Sequence, residues 1–375
     1  MFKIKQIMSI GLMRKIDSIA GKPIICLLNN FTSTTVTTTP KKVICTKFLG
    51  IGSTVLSIPL IQALKEANIK VAFWTFEGPG ELAQTTNLVD EIWVIKPTFL
   101  GFLPTLLRTW LQARRFKADA FIDLEPTANF TAILSRLSCT NTRIGFKTGK
   151  PVREQLFTHL IELNESLHMT QNFCNLGKPI GVRPLITSSL QLQSTKKNNK
   201  KTIEILVNIN ASDLSWQRKW PMDHWVALCN DLLQDPRVEL FFTGSNQESQ
   251  AVSAVIKKIK KTDRIINLAG KTTIASLLVI LNNCDLVISV DSGIMHLASL
   301  TQTPLIALFG PESPFIYGPR SRTATSIWQG LKCSPCLKTS NEKITLCKNN
   351  VCMKKIAPEM VYQECLKNLP NTLNT

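Results

Sequence analysis

Residues 285–319 constrain the architecture of this chain more than any other stretch. Leu286-Val-Ile-Ser-Val290 reads as a buried strand, Asp291-Ser292-Gly293 as a tight turn, and Ile294 to Leu300 as a helix packed behind the strand. The first turn of such a helix offers unpaired N–H groups and a partial positive charge, which suits a phosphate. A second buried strand, Leu305 to Phe309, stops at Gly310-Pro311. Neighbouring strands that end in such turns form the rim of a crevice at the carboxyl edge of a parallel sheet.

The rest of the chain repeats this alternation. Strands are expected at Val43–Leu49, Val71–Phe76, Glu91–Ile95 and Ala120–Leu124, and helices at Val55–Ala67, near Gly80–Ala83, at Leu103–Ala113 and at Phe130–Leu137. A Lys-rich and Asn-rich stretch, Ser188 to Thr202, interrupts the pattern, which restarts with strands at Ile203–Ile209, Val238–Phe242 and Ile265–Leu268. Strands alternating with helices imply right-handed parallel sheets. The expected layout is an α/β protein with Rossmann-like domains at 41–190 and 191–375, preceded by an extension over 1–40. Within that extension Met13 to Leu28 can form a basic amphipathic helix, which would either lie in a membrane interface or dock on the protein's own surface. Thr32 to Thr39, closed by Pro40, is a linker on both readings.

A chain of 375 residues can bury two cores, and its net charge of +18 points to a polyanionic partner: nucleic acid, anionic lipid or a phosphorylated glycolipid. The clusters Lys196-Lys197-Lys200-Lys201 and Lys257-Lys258-Lys260-Lys261 have few aromatics between them, which argues against a stacking platform for single strands. No segment reads as a membrane span or a signal peptide, and eleven cysteines then read as reduced thiols, so a cytoplasmic protein is expected.

The conjunction Asp291-Ser292-Gly293-x-x-His296-Leu297-Ala298, then Pro304, then Leu308-Phe309-Gly310-Pro311 resembles glycosyltransferase family 9, the ADP-heptose:lipopolysaccharide heptosyltransferases. In that family an Asp-Thr-Gly-x-x-His-Leu turn faces the nucleotide diphosphate, and Ser292 keeps the hydroxyl of its Thr. Three further motifs follow in family order, and the resemblance spans residues 43 to about 365. Asn208-Ile209-Asn210-Ala211-Ser212 with Gln217-Arg218-Lys219-Trp220-Pro221 matches a loop whose cation, Arg218 or Lys219, would neutralise the departing diphosphate. Gly244 to Glu248 matches a turn whose carboxylate would bind ribose hydroxyls. Leu49-Gly50-Ile51-Gly52-Ser53-Thr54 matches a turn on the acceptor side, with Gly52 and Thr54 beside the acceptor and His168 a further contact.

The resemblance implies a GT-B architecture, with the two sheets facing a cleft. It implies inverting transfer of a sugar, a heptose in the family, from a nucleotide-diphosphate sugar to a lipopolysaccharide core or related anionic glycolipid at the inner membrane face. No Asp-x-Asp motif is present, so no cofactor is expected in catalysis, and His296 would position the diphosphate. Ser53 stands where the family carries the Asp regarded as general base, and a serine hydroxyl cannot take a proton at neutral pH as a carboxylate does. Glu125 is the expected substitute, its other reading being a carboxylate at a helix start; Asp123 is expected to hold structure. Near the C-terminus Cys333, Cys336, Cys347 and Cys352 are spaced so that they could surround a structural zinc or remain free thiols. Two other functions stay open: a nucleotide-sugar binder that has lost turnover, and a basic zinc-containing nucleic-acid binder.

Overall fold

The computed structural model describes residues 9–28, 39–184, 202–211 and 215–369. The linker over 32–38, the Lys-rich interruption over 188–201 and Ser212 lie outside them. The chain divides into two units, residues 1–188 and 189–375.

The first unit runs α1 (Ile10–Leu28), β1 (Lys42–Lys47), α2 (Ile51–Glu66), β2 (Lys70–Thr75), α3 (Glu77–Thr85), β3 (Glu91–Val94), α4 (Phe102–Phe116), β4 (Ala120–Asp123), α5 (Asn129–Leu137), β5 (Thr142–Lys147), α6 (Pro151–Glu154), β6 (His159–Glu162) and α7 (Met169–Asn175). Its six strands are parallel, in the order β3-β2-β1-β4-β5-β6. The order reverses between β1 and β4, which is where an open sheet of this kind leaves a crevice at its carboxyl edge. Aromatic side chains fill one core, with Phe48 edge-on to Phe76 and Phe130 at 4.7 and 5.3 Å and Trp74 edge-on to Trp93 at 6.1 Å.

The second unit runs β7 (Ile203–Asn208), α8 (Met222–Leu232), β8 (Val238–Phe242), α9 (Ser249–Ile256), β9 (Ile265–Asn267), α10 (Ile274–Asn283), β10 (Leu286–Val290), α11 (Gly293–Ala298), β11 (Leu305–Phe309), α12 (Pro314–Tyr317), β12 (Ala324–Trp328), α13 (Val351–Lys354) and α14 (Pro358–Asn368). Its strands are again parallel, ordered β12-β11-β10-β7-β8-β9, the same topology with the reversal between β7 and β10. All five residues of β10 and of β11 are buried, as strands covered by helices on both faces require.

Three strands escape the sequence pattern. β5 is buried over its first five residues yet contains Arg143 and Gly145. Arg143 is buried because its guanidinium donates to the carbonyls of Leu156 and Thr140, both at 2.7 Å. A Cβ on Gly145 would lie 2.7 Å from the Phe157 ring. The edge strands β6 and β12 are only half-buried and so lack an apolar run. The turn expected at Gly50–Ser53 is instead the first turn of α2, entered through Gly50 at φ +87°, which a side chain would strain.

Helix α1 docks on its own unit. The Asp17 carboxylate accepts from the backbone N–H groups of Asn129 and Phe130 at 2.9 and 2.6 Å, capping α5, and Ile25 is fully buried with Ala132, Ile133, Leu156 and Phe157. Its opposite face leaves Leu12, Ile16, Ile19 and Leu27 exposed, so one helix face is docked and the other is apolar and open.

Asp123, at the end of β4, is fully buried. Its carboxylate pairs with Arg153 at 2.7 Å and accepts from Thr46 and Thr131 at 3.1 and 2.7 Å. Burial outweighs the Arg153 charge and pushes the carboxyl up from 3.8 to about 6. A carboxyl whose folded value is raised is favoured protonated by the fold, so its contribution to stability falls as pH rises from 3.8 through about 6 and is level above. Arg153→Ala strands the carboxylate, and the expected loss is roughly 3–5 kcal/mol at pH 8. The loss should shrink at pH 5, where protonated Asp123 needs no counter-charge; urea denaturation at the two pH values measures both, and a pH-independent loss would contradict the pairing.

Candidate active site

In the second unit the carboxyl ends of β7, β10 and β11 converge on one charged cluster. The Asn208 amide, at the end of β7, donates towards Ser292 Oγ at 2.8 Å and Ser289 Oγ at 3.0 Å. Ser292 in turn caps α11 by accepting from Met295 N–H at 3.4 Å. This ties β7 to β10 where the strand order reverses. Asp291, next to Ser292, is buried, and its Oδ2 lies 3.7 Å from Arg218 Nη1. Glu312, just past β11, is 1% exposed; its Oε1 lies 3.6 Å from the same Arg218 nitrogen and its Oε2 lies 2.8 Å from Lys343 Nζ. Burial raises the Glu312 carboxyl, and Lys343 and Arg218 oppose that shift. Two cations and two carboxylates thus form a closed set at the sheet edge.

The segment rich in cysteine builds this site. Cys336 and Leu337 donate their N–H groups to the Pro311 carbonyl at 2.9 and 3.0 Å, and Ser334 Oγ donates to the Gly310 carbonyl. Gly310 has no room for a side chain, because a Cβ would collide with Met353 Sδ. Further along, Asn350 Nδ2 donates to the carbonyls of Gln217 and Lys219 at 3.1 and 2.8 Å, and Gln217 Nε2 donates to the Cys347 carbonyl at 3.1 Å. Residues 334–350 therefore clip the Arg218 loop and the Pro311-Glu312 turn together. Trp220 is structural: it is buried edge-on against Trp225 at 4.8 Å and donates to the Ile356 carbonyl at 2.9 Å.

The other residues expected on the donor side lie around this edge. Of the two cations in the loop, Arg218 reaches the acidic pair and Lys219 is exposed. Gly293 opens α11 and His296 is buried within it. Glu248 Oε2 accepts from Ser245 N–H at 2.7 Å in a capping box after β8. Among the described residues no three His, Cys, Asp or Glu side chains are grouped to hold a metal ion. Cys352 is buried and its thiol is pushed up to about 11 by burial and by the neighbouring cysteines, while Cys347 Sγ turns to the Asn349 carbonyl. Cys333, Cys336, Cys347 and Cys352 are free thiols, with Cys352 in the electrostatic reach of the other three.

In the first unit the switch point between β1 and β4 is held by Glu125. Its Oε1 accepts from the N–H groups of Phe48 and Leu49, both at 2.9 Å, and pairs with buried Lys47 at 2.7 Å. Ser53 Oγ donates to the carbonyls of Leu49 and Gly50 at 3.2 and 2.9 Å. Gly52 and Thr54 are buried in the same helical turn, and His168 caps α7 by accepting from Thr170 N–H at 3.2 Å. Sequence reasoning missed Glu312 and Lys343. Glu312 carries a signal, a carboxylate in the turn after a buried strand; Lys343 carries none, because only the folded segment brings it there.

Comparison with known proteins bears on the family and the fold. The family model for glycosyltransferase family 9 (heptosyltransferase) matches residues 107–345. The lipooligosaccharide heptosyltransferase 2 of Campylobacter jejuni subsp. jejuni serotype O:2 is 26% identical over 340 residues, 86% of this chain and 96% of that protein. Two solved structures superpose with a TM-score of 0.70. One is a family 9 glycosyltransferase from Veillonella parvula, at 21% identity over 87% of this chain and 96% of its own. The other is the Escherichia coli ADP-heptose lps heptosyltransferase II, at 18% identity over 87% and 98%. The shared fold is the GT-B architecture of two Rossmann-like domains.

Proposed function

The chain belongs to glycosyltransferase family 9, and from that premise we propose that it moves a heptose from ADP-heptose to a lipopolysaccharide-core acceptor with inversion at the anomeric carbon. One observation carries the donor side of the reading: Arg218 is held against Asp291 and Glu312 at the carboxyl ends of β10 and β11. In an inverting displacement the acceptor oxygen bonds to the anomeric carbon as the bond to the diphosphate breaks. The electron pair leaves with the diphosphate, and the acceptor proton goes to a base. A fixed guanidinium in a largely buried site offsets the charge that develops on the leaving group. Asp291, Ser292, Gly293 and His296 shape the pocket around that diphosphate, and Glu248 is suited to accept from ribose hydroxyls.

The acceptor side is assigned to the first unit. Glu125 is the carboxylate that touches the β1–α2 turn, and we assign it the proton. Its Oε1 already takes two N–H groups and an ammonium, and Ser53 donates its own hydrogen to carbonyls. These same bonds favour a second reading, a nucleotide-sugar binder without turnover.

Thermal shift with ADP-heptose, followed by transfer to heptose-deficient lipopolysaccharide, tests both readings. Binding should raise the melting temperature, wild-type transfer should be measurable, and Ser53→Asp should accelerate it on the order of 10²-fold, the usual worth of a positioned base. Binding with no transfer by either form would leave only the second reading, and no shift with ADP-heptose or ADP would defeat both.

The exposed face of α1 supports a peripheral contact with an anionic membrane. Leu12, Ile16, Ile19 and Leu27 form an open apolar stripe beside Lys15 and Lys22, on a chain of net charge +18. No helix among the described residues is long and apolar enough to cross a membrane. Replacing Ile16 and Ile19 with Glu should cut co-sedimentation with phosphatidylglycerol vesicles several-fold and leave the ADP-heptose shift intact; unchanged sedimentation would remove α1 from the contact.

A further inference from the structure

Glu342 and Lys343 both adopt left-handed backbone, at φ +55° and +58°. Non-glycine residues pay for that conformation, and it persists where the surroundings over-determine it, which is often at functional sites. The surroundings here are a tight turn. Lys343 N–H donates to the Lys338 carbonyl and Glu342 N–H to the Thr339 carbonyl, each at 2.9 Å. Asn341 closes the turn by accepting from Lys338 N–H at 3.0 Å and donating to the Cys336 carbonyl at 2.8 Å. The result is an ammonium 2.8 Å from Glu312 and 3.8 Å above the Tyr317 ring, whose hydroxyl meets Thr339 at 2.5 Å.

Exposure distinguishes the two ends of this pair. Lys343 keeps 33% of its side chain exposed while Glu312 keeps 1%, so of the pair it is the lysine side chain that reaches solvent. Glu312 uses Oε2 for Lys343 and directs Oε1 towards Arg218, and one buried carboxylate thereby sets the positions of two cations. Burial opposes the charged form of Lys343, but the Glu312 and Asp291 charges prevail and raise its pKa, so the ammonium is charged at neutral pH.

We propose that Lys343 is a second diphosphate-binding cation beside Arg218, with Glu312 as the residue that positions both. The proposal rests on the donor-site reading above and adds a residue to it. As the sugar's anomeric C–O bond breaks, the electron pair stays on the diphosphate, and two cations share the charge that one would otherwise meet alone. A diphosphate should engage the pair better than a monophosphate.

Calorimetric titration of ADP and AMP into the full-length protein tests this with Lys343→Met and with the double variant Glu312→Gln/Lys343→Met. The single variant should bind ADP about tenfold more weakly, the scale of one charge-assisted phosphate contact, and AMP less than about threefold more weakly. The double variant removes the stranded carboxylate together with its hold on Arg218, and should bind ADP at least as weakly as the single one. Wild-type ADP affinity in either variant would overturn the proposal, recovery in the double variant showing that Lys343 serves only to neutralise Glu312. Melting temperatures recorded alongside confirm that each variant is folded. A wild-type protein that binds no ADP would defeat the donor-site reading and this proposal together, whereas binding by wild type and variants alike defeats this proposal alone.

Discussion

The interaction on which the second unit's chemistry depends is the contact of Arg218 with two buried carboxylates, 3.7 Å to Asp291 and 3.6 Å to Glu312. Each partner comes from a different element. Asp291 follows β10, Glu312 follows β11, and the Arg218 loop follows β7, with β7 and β10 flanking the point where the strand order reverses. A parallel sheet delivers all three to one edge without any further device, because every strand ends on the same side. Holding them there takes the segment 334–350, whose backbone and side-chain bonds fasten the loop to the turn. Two buried carboxylates would repel each other if left alone, and Arg218 with Lys343 supplies the compensating charge.

The two units solve the same structural problem with opposite charge patterns. At the first switch point a carboxylate, Glu125, gathers backbone N–H groups and Lys47. At the second, cations stand beside a carboxylate pair, one of them with a third of its side chain in solvent. The first arrangement uses its hydrogen-bonding capacity on the turn itself; the second balances two cations against two carboxylates, with the Lys343 side chain one-third exposed. The second unit's sheet edge is therefore the more richly charged of the two, while in the first unit Ser53 gives its hydroxyl to backbone carbonyls.

Much of this was legible in the sequence because it is carried by local pattern. β7, β10 and β11 are apolar runs stopped by turn residues, and the period of the helices between them follows from burial on one face. Arg218, Asp291 and Ser292 sit in short motifs after strands, and the topology brings them to one sheet edge. What escaped depends on tertiary context. β5 hides a buried Arg143 whose charge is answered by the carbonyls of Thr140 and Leu156, and the half-buried β6 and β12 lack the apolar signal of interior strands. Lys343 lies 31 residues from Glu312 in a polar stretch, and only the turn over 338–343 brings the two together. The cysteines suggest a metal by their spacing, and the fold adds what spacing does not show, the contacts their segment makes through backbone groups, Asn341, Asn350 and Lys343.

The central claim is that the leaving diphosphate sits on the Arg218 cluster. A crystal structure of the full-length protein with ADP measures this directly, through the separation of the terminal phosphate from the Arg218 guanidinium. Ion-pair contact, within about 4 Å, is the predicted result; an ADP whose phosphates lie away from Arg218, Asp291 and Glu312 would contradict it.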